Sequence, residues 1–591
     1  MPMYNLIIVI VFFLCIVAAA VLAAFLGHGR AKKPALLKGV LTVLLCLIVG
    51  GTGYLSVAAA TGTLMTPEPE TTFDPNMNGY YEDIKADNGD IYTGKFVAGY
   101  YEGEGKILYA DGSTYDGEWK AGKRDGKGTF VSALGWRYTG DYIENVKEGE
   151  GTCVFSDGSV YDGQWKVDKP NGQGTYSAAD GSVITGTWKD GVKEGTAIKT
   201  YKDGSMYNGM WQNNIPHGYG TYASSDGWTY TGWFADGIKA GTGRITYTNG
   251  AVYDGEWDND HKVGKGTQTY ADGSTYTGQW SSSKPNGEGV FKSKKGWIYE
   301  GDFENGTRQG KGKLTYKDGS VYEGGFENGL RQGKGKLTYK DGSVYEGDFK
   351  NNLGDGRGTL KHADGWTYTG DWVQNQRSGE GTYTYRNGST YTGQWENNEA
   401  NGNGKHVDAE GWTYDGDWKD GLKHGQGHLI YADGSEYRGG FSSGVLSGQG
   451  KMTSAEGWTY EGDWSNGLRH GQGTYTHADG SVYEGGWKNN KEDGQGTHVD
   501  AAGWNYSGQW KAGLRHGKGK LVYKDTSYYD GEWVQNLKQG QGTHTYHDEN
   551  GKLFGTYVGA FYADKRNGEG TFTYVKGYVQ EGTWKNDSFM D

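Results

Sequence analysis

Apolar and polar residues alternate along most of this chain in short runs, and Asp-Gly or a related turn signal separates paired runs. Alternation with a period of two is typical of β-strands, and two such runs around a glycine-containing loop predict a β-hairpin. A motif Tyr-x-Gly-x-aromatic recurs every 23 residues, twenty times from Tyr92 to Tyr529, and only Ile184 replaces the first Tyr. Two irregular units follow at Tyr557 and Gln580. The pattern predicts about 22 tandem hairpins over residues 80–591.

The segment GEGKILYADGSTYDGEW, residues 103–119, illustrates one hairpin. Residues 110–112 predict a three-residue loop with Gly in its left-handed position, and this loop sets the strand register. The predicted cross-strand pairs are Tyr109 with Ser113, Ile107 with Tyr115, Gly105 with Gly117, and Gly103 with Trp119. All of these residues share one face, and the facing glycines leave a gap over which Tyr and Trp rings can lie.

The residue after each loop and its predicted partner exchange size, which tests this register. A Trp after the loop faces a small or polar residue at Ser132/Trp136, Ser224/Trp228, Ser293/Trp297, His362/Trp366, Asp408/Trp412, Ser454/Trp458 and Asp500/Trp504. A small residue there usually faces an aromatic one, as in Tyr109/Ser113 and Tyr431/Ser435, with Ala178/Ser182 and His477/Ser481 as exceptions. A facing pair that shares one volume predicts this exchange.

Stacked hairpins can share a ring-bearing face that a single hairpin cannot bury. The expected fold class is therefore all-β, an elongated single-layer antiparallel sheet of about 22 hairpins. About 44 strands at about 4.8 Å each would extend over roughly 200 Å.

Two apolar segments precede the repeats. Residues 5–26 and 39–62 predict two transmembrane helices, because each contains an uncharged stretch long enough to span a bilayer. The basic loop between them, residues 27–38, carries four Lys or Arg, whereas acidic residues follow the second segment. The positive-inside bias then places the loop in the cytoplasm and the repeats outside it, in a multi-pass integral membrane protein. Residues 63–79 predict a linker, and the alternative for the first segment is a secretory signal peptide.

Charge and cysteine usage exclude several classes of function. After residue 66 the chain has 55 basic and 72 acidic side chains, a net charge of −17, which disfavours nucleic acid as a partner. Only three cysteines occur, Cys15, Cys46 and Cys153, so neither a disulfide framework nor a thiolate metal site is expected within the chain.

The motif Tyr-x-Gly-x-Trp, Gly-x-Gly eleven and thirteen positions after the Tyr, and Asp-Gly before the next Tyr resemble the MORN repeat. The resemblance covers residues 80–591 and implies an elongated antiparallel sheet with a groove. In that family the sheet serves as a scaffold, docks helices or peptides, mediates self-association, or has been proposed to contact phosphoinositide membranes. The choline-binding wall repeat is also rich in Gly, Trp and Tyr, but its period is nearer twenty and it has no Gly-x-Gly element.

No catalytic, cofactor or metal site is expected. His217, His424, His470 and His516 share one repeat position, and the last three are 46 residues apart, about four strands or roughly 19 Å, so they cannot share a metal. One Asp per loop, as at Asp111, provides too few oxygens for calcium. Every Ser, His and Asp lies at a repeated structural position, so no hydrolytic triad is indicated. Basic residues before and within Gly-x-Gly, such as Arg308 and Lys311, are interpreted as solvated turn charges rather than phosphate ligands.

The aromatic stripe is the candidate binding face. Its members are Tyr115, Trp119, Trp136, Trp228, Trp297, Trp366, Trp412, Trp458 and Trp504. A large uncovered apolar stripe usually marks a partner site, and the alternative is that neighbouring rings cover one another. The sequence thus predicts a non-enzymatic, membrane-anchored scaffold that binds a protein or peptide or associates with itself. The alternatives are an extracytoplasmic protein that binds carbohydrate or cell wall, and a tether that binds phospholipid headgroups.

Overall fold

The computed structural model describes residues 73–590, which form strands and turns without a helix. The predicted transmembrane segments, residues 5–26 and 39–62, lie outside the described residues, as does the basic loop 27–38. Within residues 73–590, no helix has the length and apolar character needed to cross a membrane. The chain divides into two compact units, the first ending at Gly264 and the second beginning at Lys265.

In the first unit sixteen strands follow one another, each pairing antiparallel with the next in sequence. They are β1 (Gly79–Lys85), β2 (Ile91–Val97), β3 (Tyr100–Leu108), β4 (Thr114–Lys120), β5 (Lys123–Val131), β6 (Arg137–Ile143), β7 (Val146–Val154), β8 (Val160–Lys166), β9 (Lys169–Ser177), β10 (Val183–Lys189), β11 (Val192–Thr200), β12 (Met206–Gln212), β13 (Ile215–Ala223), β14 (Thr229–Ala235), β15 (Ile238–Thr246) and β16 (Val252–Asp258). Strand β17 (His261–Thr269) contains the division between the units.

The second unit continues the same order of strands. They are β18 (Thr275–Ser281), β19 (Lys284–Lys292), β20 (Ile298–Glu304), β21 (Thr307–Thr315), β22 (Val321–Glu327), β23 (Leu330–Thr338), β24 (Val344–Lys350), β25 (Leu353–Lys361), β26 (Thr367–Val373), β27 (Gln376–Thr384), β28 (Thr390–Glu396), β29 (Glu399–Val407), β30 (Thr413–Lys419), β31 (Leu422–Ile430), β32 (Glu436–Ser442), β33 (Val445–Thr453), β34 (Thr459–Ser465), β35 (Leu468–Thr476), β36 (Val482–Lys488), β37 (Lys491–Val499), β38 (Asn505–Lys511), β39 (Leu514–Val522), β40 (Tyr528–Val534), β41 (Leu537–His547), β42 (Leu553–Tyr562), β43 (Lys565–Tyr574), β44 (Val579–Lys585) and β45 (Ser588–Phe589). The prediction of an antiparallel sheet of tandem hairpins is confirmed.

The predicted hairpin register is also confirmed. Strands β3 and β4 pair Gly103 with Trp119, Gly105 with Gly117 and Ile107 with Tyr115. At the loop, the Tyr109 N–H donates to the Ser113 carbonyl over 2.8 Å. The loop glycine, Gly112, has a φ of +89°, the left-handed conformation that glycine adopts without a Cβ clash.

Successive hairpins are joined by a second kind of turn, which has two residues. Between β4 and β5, Ala121 and Gly122 have φ values of +51° and +81°. Positive φ at both positions defines a type I′ turn, whose twist matches that of antiparallel strands. The second position of this turn holds Asn, Asp or Gly in most repeats, because these residues tolerate positive φ best. Each 23-residue repeat therefore has one long and one tight turn at opposite ends of its strands.

A bulge bends each junction between hairpins. Strands β4 and β5 pair Gly117 with Gly128 and then Trp119 with Arg124, so β5 contains two additional residues between these pairs. Gly126 lies in the bulge with a φ of +110°. A bulge increases local twist and re-aims the side chains beside it. Here it places the residue five positions after each Trp, such as Arg124, on the same face as the Trp.

Serine side chains join neighbouring loops. Ser113 Oγ accepts a hydrogen bond of 3.0 Å from the Ala133 N–H in the next hairpin. The Ser389 and Ser435 hydroxyls accept equivalent bonds from Ala409 and Ala455. The serine after a loop therefore not only leaves room for the facing aromatic ring but also accepts a hydrogen bond from the next hairpin.

Candidate functional site

The first tyrosine and the second aromatic residue of each motif form the core of the sheet rather than its surface. Tyr115 is 0% exposed and Trp119 is 3% exposed. Their rings meet edge to face, with centroids 5.0 Å apart and an interplanar angle of 87°. The Tyr115 hydroxyl donates to the Glu118 carbonyl over 3.1 Å, and Trp119 Nε1 donates to the Gly105 carbonyl over 3.1 Å. Of the predicted binding face, Tyr115 and Trp119 are therefore covered by their neighbours.

The other seven predicted face residues remain half-buried at the loop end of the strands, and we call them the turn-tryptophan row. In the first unit they are Trp136 and Trp228, and in the second unit Trp297, Trp366, Trp412, Trp458 and Trp504. Trp458 stacks on Tyr475 with centroids 5.4 Å apart, and Trp412 stacks on His406 with centroids 4.5 Å apart. One side of each indole is thus fixed by a ring of the sheet.

Arginine and lysine side chains lie over the core rings, at the position five residues after the second aromatic, which we call the ladder position. The cations there are Arg124, Lys147, Lys193, Lys239, Lys262, Arg308, Arg331, Arg377, Lys423, Arg469, Arg515, Lys538 and Arg566. Arg469 Cζ lies 4.4 Å from the Trp487 ring centroid and 4.7 Å from that of Tyr475. This is cation–π geometry.

The ladder corrects the interpretation of these residues as solvated turn charges. Arg124 and Lys147 are each 1% exposed. Burial lowers the pKa of Lys193 and of Lys538 to about 8, because the apolar rings solvate the ammonium group less well than water. The sequence signal was a basic residue in fixed phase with the aromatic motif. Its inward direction depends on the bulge and the two-residue turn.

Five repeats of the second unit have no cation at the ladder position (Pro285, Gly354, Ala400, Leu446 and Glu492), and in two of them the aromatic face is open. Ala400 and Glu492 occupy the ladder position there. Among the described second-aromatic residues, only Trp418 and Trp510 are half-buried, and they follow Ala400 and Glu492 by 18 residues. In the cation-bearing repeats the second aromatic 18 residues later packs beneath the Arg or Lys, as Trp395 does under Arg377 at 4.5 Å. Ala400 and Glu492 provide no such cation, and the indoles of Trp418 and Trp510 are half-buried there.

A shallow pocket of about 360 Å³ lies beside the interruption at Ala400. Its lining is Tyr385, Asn387, Ser389, His406, Asp408, Trp412, Trp418, Gly421, Leu422, Lys423 and Gly444. His406 Nε2 lies 3.5 Å from Asp408 Oδ2, and the Ser389 hydroxyl donates to the same carboxylate over 3.0 Å. The Glu410 backbone N–H lowers the pKa of Asp408, and burial lowers that of His406. At neutral pH the pocket thus contains an ionised carboxylate beside a neutral imidazole.

The opposite face of the sheet is polar in most repeats, and its charges pair with one another. Lys127 lies 2.7 Å from Asp141, and Lys334 lies 2.8 Å from Asp348. Shallow troughs of about 490 Å³ in the first unit and about 640 Å³ in the second run between these side chains. Paired charges leave little unsatisfied potential for a phosphate headgroup.

An apolar patch in the first unit interrupts this polar face. Met210, Tyr219 and Trp233 are 46%, 52% and 50% exposed. The Tyr219 and Trp233 rings face each other across β13 and β14, with centroids 6.3 Å apart. These residues occupy positions that are charged or polar in most other repeats. The sequence analysis missed the patch because it compared the positions of the aromatic face only.

Histidines and carboxylates do not gather into a metal-binding group anywhere in residues 73–590. His217 lies near the tight turn, with Nδ1 3.7 Å from Asp236 Oδ1. The backbone carbonyls of His424 and His470 accept hydrogen bonds from Tyr414 and Tyr460.

Comparison with known families identifies the repeat. The family model described as the MORN repeat matches 21 segments, the first at residues 92–114 and the last at residues 557–577. Together the matches span nearly all of the described hairpins. Among curated protein sequences, none matches this chain.

Several solved structures are similar to parts of the sheet, with low TM-scores. The TCP10 domain of Danio rerio CPAP in complex with a peptide of Danio rerio STIL is 16% identical, covers 41% of this chain and 91% of its own, and has a TM-score of 0.15. The TCP10c domain of Drosophila melanogaster Sas-4 is 15% identical over 29% of this chain and 96% of its own, with a TM-score of 0.15. Virginiamycin B lyase from Staphylococcus aureus is 11% identical over 47% and 89%, with a TM-score of 0.10.

Proposed function

Because this chain belongs to the MORN repeat family, we propose that it is a non-enzymatic scaffold that binds an extended segment of a protein partner along its turn-tryptophan row. The row carries the proposal, because its indoles are half-buried on the aromatic face and recur at one repeat position. Tyr and Trp dominate the binding energy of protein interfaces when a partner completes their burial. Stacking on a ring below holds each indole in one orientation, so little side-chain entropy is lost on binding.

The spacing of the row suits an extended segment. In the second unit Trp366, Trp412, Trp458 and Trp504 recur every 46 residues, or four strands. Four strands advance about 19 Å, and an extended peptide advances about 3.3 Å per residue, so about six residues separate successive contacts. The partner segment is therefore expected to present an apolar or aromatic side chain at about every sixth residue.

A peptide selection tests this function. Twelve-residue peptides displayed on phage are selected on the purified full chain, and their affinities are compared on variants. The double change Trp412→Ala and Trp458→Ala should weaken binding at least tenfold, as for interface hot spots. Trp233→Ala serves as the matched control, because Trp233 is 50% exposed but lies on the opposite face.

Other outcomes would contradict the proposal. Equal peptide binding to the double variant would exclude the row, and a loss with Trp233→Ala would move the site to the apolar patch. Binding on a glycan array that disappears in the double variant would assign the row to carbohydrate instead. Dimers in sedimentation that dissociate in the double variant would assign it to self-association.

We further propose that residues 5–26 and 39–62 anchor the scaffold in a membrane with its repeats outside the cytoplasm. The uncharged length of both segments and the basic loop between them support this arrangement. Protease added to intact cells should digest the repeats. Protection of the repeats, with digestion only after lysis, would contradict the orientation.

A further inference from the structure

Two repeats of the second unit share a constellation that the other repeats lack. His406, Asp408, Trp412 and Trp418 recur 92 residues later as His498, Asp500, Trp504 and Trp510. In both places the imidazole stacks on the Trp after the loop, with centroids 4.5 Å apart for His406 and Trp412 and 4.8 Å for His498 and Trp504. Both places also have the half-buried second-aromatic Trp described above.

The opening at Trp418 results from two small residues acting together. The ladder residue is Ala400, and the tight-turn residue opposite it is Gly421, whose N–H donates to the Ala400 carbonyl over 3.0 Å. At Gly354, the other small ladder residue of this unit, the opposite turn residue is Asn375, and its side chain accepts a 2.6 Å hydrogen bond from Gly354. Trp372 accordingly stays 6% exposed. Ala400 and Gly421 together place no long side chain over the Trp418 indole.

The neighbouring repeats indicate which chemical group this space is shaped to hold. Arg377, one repeat earlier, places Cζ 4.5 Å from the Trp395 centroid and 5.1 Å from that of Tyr383. Its Nη2 donates to the Asn398 carbonyl over 2.6 Å. The residues at the corresponding positions around Ala400 are Trp418, His406 and Gly421, and all three line the pocket. A glycine can supply the carbonyl, since Arg308 Nη2 donates to the Gly329 carbonyl over 2.6 Å.

A carboxylate gives this space a charge that the rest of the ladder does not have. The Asp408 side chain is 14% exposed and that of Asp500 is 22% exposed, and both lie on the aromatic face beside a histidine. His406 is 8% exposed, and its Nε2 makes no hydrogen bond within the described part of the chain. At the second location Glu492 itself replaces the ladder cation. A buried carboxylate is stabilised most by a cation that also donates hydrogen bonds.

Cations on either side do not forbid another between them. Arg377 and Lys423 flank Ala400 at the ladder position, one repeat away in each direction. Cations already occupy consecutive repeats elsewhere, as at Arg308 and Arg331, and at Arg515 and Lys538. A guanidinium at Ala400 would therefore continue a series that the sheet accommodates without an added carboxylate.

We propose that the pocket beside Ala400 is an acceptor site for the guanidinium group of an arginine presented by the bound polypeptide, and that the place beside Glu492 is a second site of the same class. That the arginine belongs to a bound polypeptide rests on the proposed scaffold function. That the pocket recognises a guanidinium group does not depend on it. Arginine fits better than lysine, because a planar group can stack on Trp418 and donate to the turn carbonyl at once. The two sites are eight strands apart, about 38 Å along the sheet.

Saturation-transfer difference NMR on the purified full chain tests the sites without a partner. The probe is N-acetyl-arginine methylamide, and the comparison ligands are the corresponding citrulline and lysine compounds and methyl β-glucopyranoside. Citrulline matches the shape of arginine without its charge. We expect saturable transfer to the arginine side-chain protons and at least tenfold weaker binding of citrulline, because the charge-assisted hydrogen bond is lost.

Two sets of variants locate the binding. Ala400→Arg with Glu492→Arg supplies an internal guanidinium at both places and should abolish saturable transfer, while the fold is retained as at the other ladder arginines. Pro285→Arg adds an arginine at a ladder position far from both sites, and it should leave binding unchanged. Asp408→Asn with Asp500→Asn keeps the shape of the carboxylates and should weaken binding about tenfold.

Each contrary result overturns the inference. Equal binding of citrulline or lysine excludes guanidinium recognition, and unchanged binding in Ala400→Arg with Glu492→Arg places the probe elsewhere. Saturable transfer to the glucoside alone would assign the pocket to sugars. If selected peptides require the turn-tryptophan row and yet bind equally well with and without an arginine, that result would leave the scaffold function intact and refute the acceptor sites.

Discussion

Gly335→Ala tests the packing principle of the whole sheet. A Cβ at Gly335 would lie 2.5 to 2.7 Å from two ring carbons and the hydroxyl oxygen of Tyr322, which is 0% exposed. Carbon atoms in contact are normally about 3.5–4.0 Å apart, so the ring must move by about 1 Å. It would then lose the 3.0 Å hydrogen bond from its hydroxyl to the Gly325 carbonyl. Overpacking costs about 1–3 kcal/mol and the bond about 1 kcal/mol, so we expect a loss of about 3 kcal/mol.

Two controls isolate the clash with the ring. Gly342→Ala, in the three-residue loop between β23 and β24, has no atom within 4 Å of the new Cβ, but its φ is +90°. Only backbone strain of about 1 kcal/mol is expected there. In a Tyr322→Ala background, Gly335→Ala should cost close to nothing, because the ring that it would displace is gone.

Hydrogen exchange is the appropriate assay, because a long repeat array does not unfold in one cooperative step. The amides of β22 and β23 should lose protection in Gly335→Ala by a factor that corresponds to about 3 kcal/mol, more than a hundredfold. The reasoning is refuted if Gly335→Ala and Gly342→Ala cost the same, or if removing the Tyr322 ring does not relieve the cost.

Three further predictions concern a loop pair, a ladder arginine and a buried histidine. Ser454→Tyr with Trp458 retained should overpack its loop and lower the local stability by about 1–3 kcal/mol. Adding Trp458→Ser should restore the hydrogen-exchange protection of β33 and β34. Equal protection in the single and double variants would contradict the size exchange. Arg469→Met should destabilise β35 by about 2 kcal/mol in hydrogen exchange, because the cation–π contacts and the 3.1 Å hydrogen bond to the Asn490 carbonyl are lost. Arg469→Lys should destabilise β35 by less, and an equal effect of the two variants would contradict the role of the guanidinium. Burial lowers the pKa of His544 to about 3 from its ordinary 6.5, so the unfolded chain takes up the proton at a higher pH than the folded chain does. The stability that the neutral imidazole allows above pH 6.5 is therefore lost as the pH falls toward 3. His544→Gln, which matches Gln268 at the same repeat position, should reduce the drop in thermal midpoint between pH 7 and pH 4.5; an undiminished drop would contradict the assignment.

Local pattern was sufficient to predict the hairpin, because its information lies within seventeen residues. The loop at Asp111 and the alternation on both sides determined that Tyr109 faces Ser113 and that Gly105 faces Gly117, and both pairs are observed. Tyr115 and Trp119 were assigned to the correct face. Their burial depends on rings contributed by the adjoining repeats, as where Tyr115 meets Tyr142 at 5.3 Å, and a single repeat does not contain that information.

The ladder and the pocket required three dimensions. Whether Arg124 points to water or to the core depends on the bulge around Gly126, which a strict alternation of strand residues does not predict. The opening at Trp418 depends on Ala400 and Gly421 together, and each is unremarkable alone. The seven Trp residues of the turn-tryptophan row were found from sequence, but the space beside one of them was not.

The hydrogen bonds of the two-residue turns have a consequence for how the chain is synthesised. The side-chain bonds that join one repeat to the next, such as those from Arg124 to Asn145 and from Lys538 to Asp564, span 21 and 26 residues. Contacts of such short sequence separation favour fast folding, since little loop-closure entropy is lost before they form. Each hairpin can find its neighbour soon after both leave the ribosome, so the order of translation becomes the order of folding, and a pause in synthesis leaves a shorter but finished array behind it.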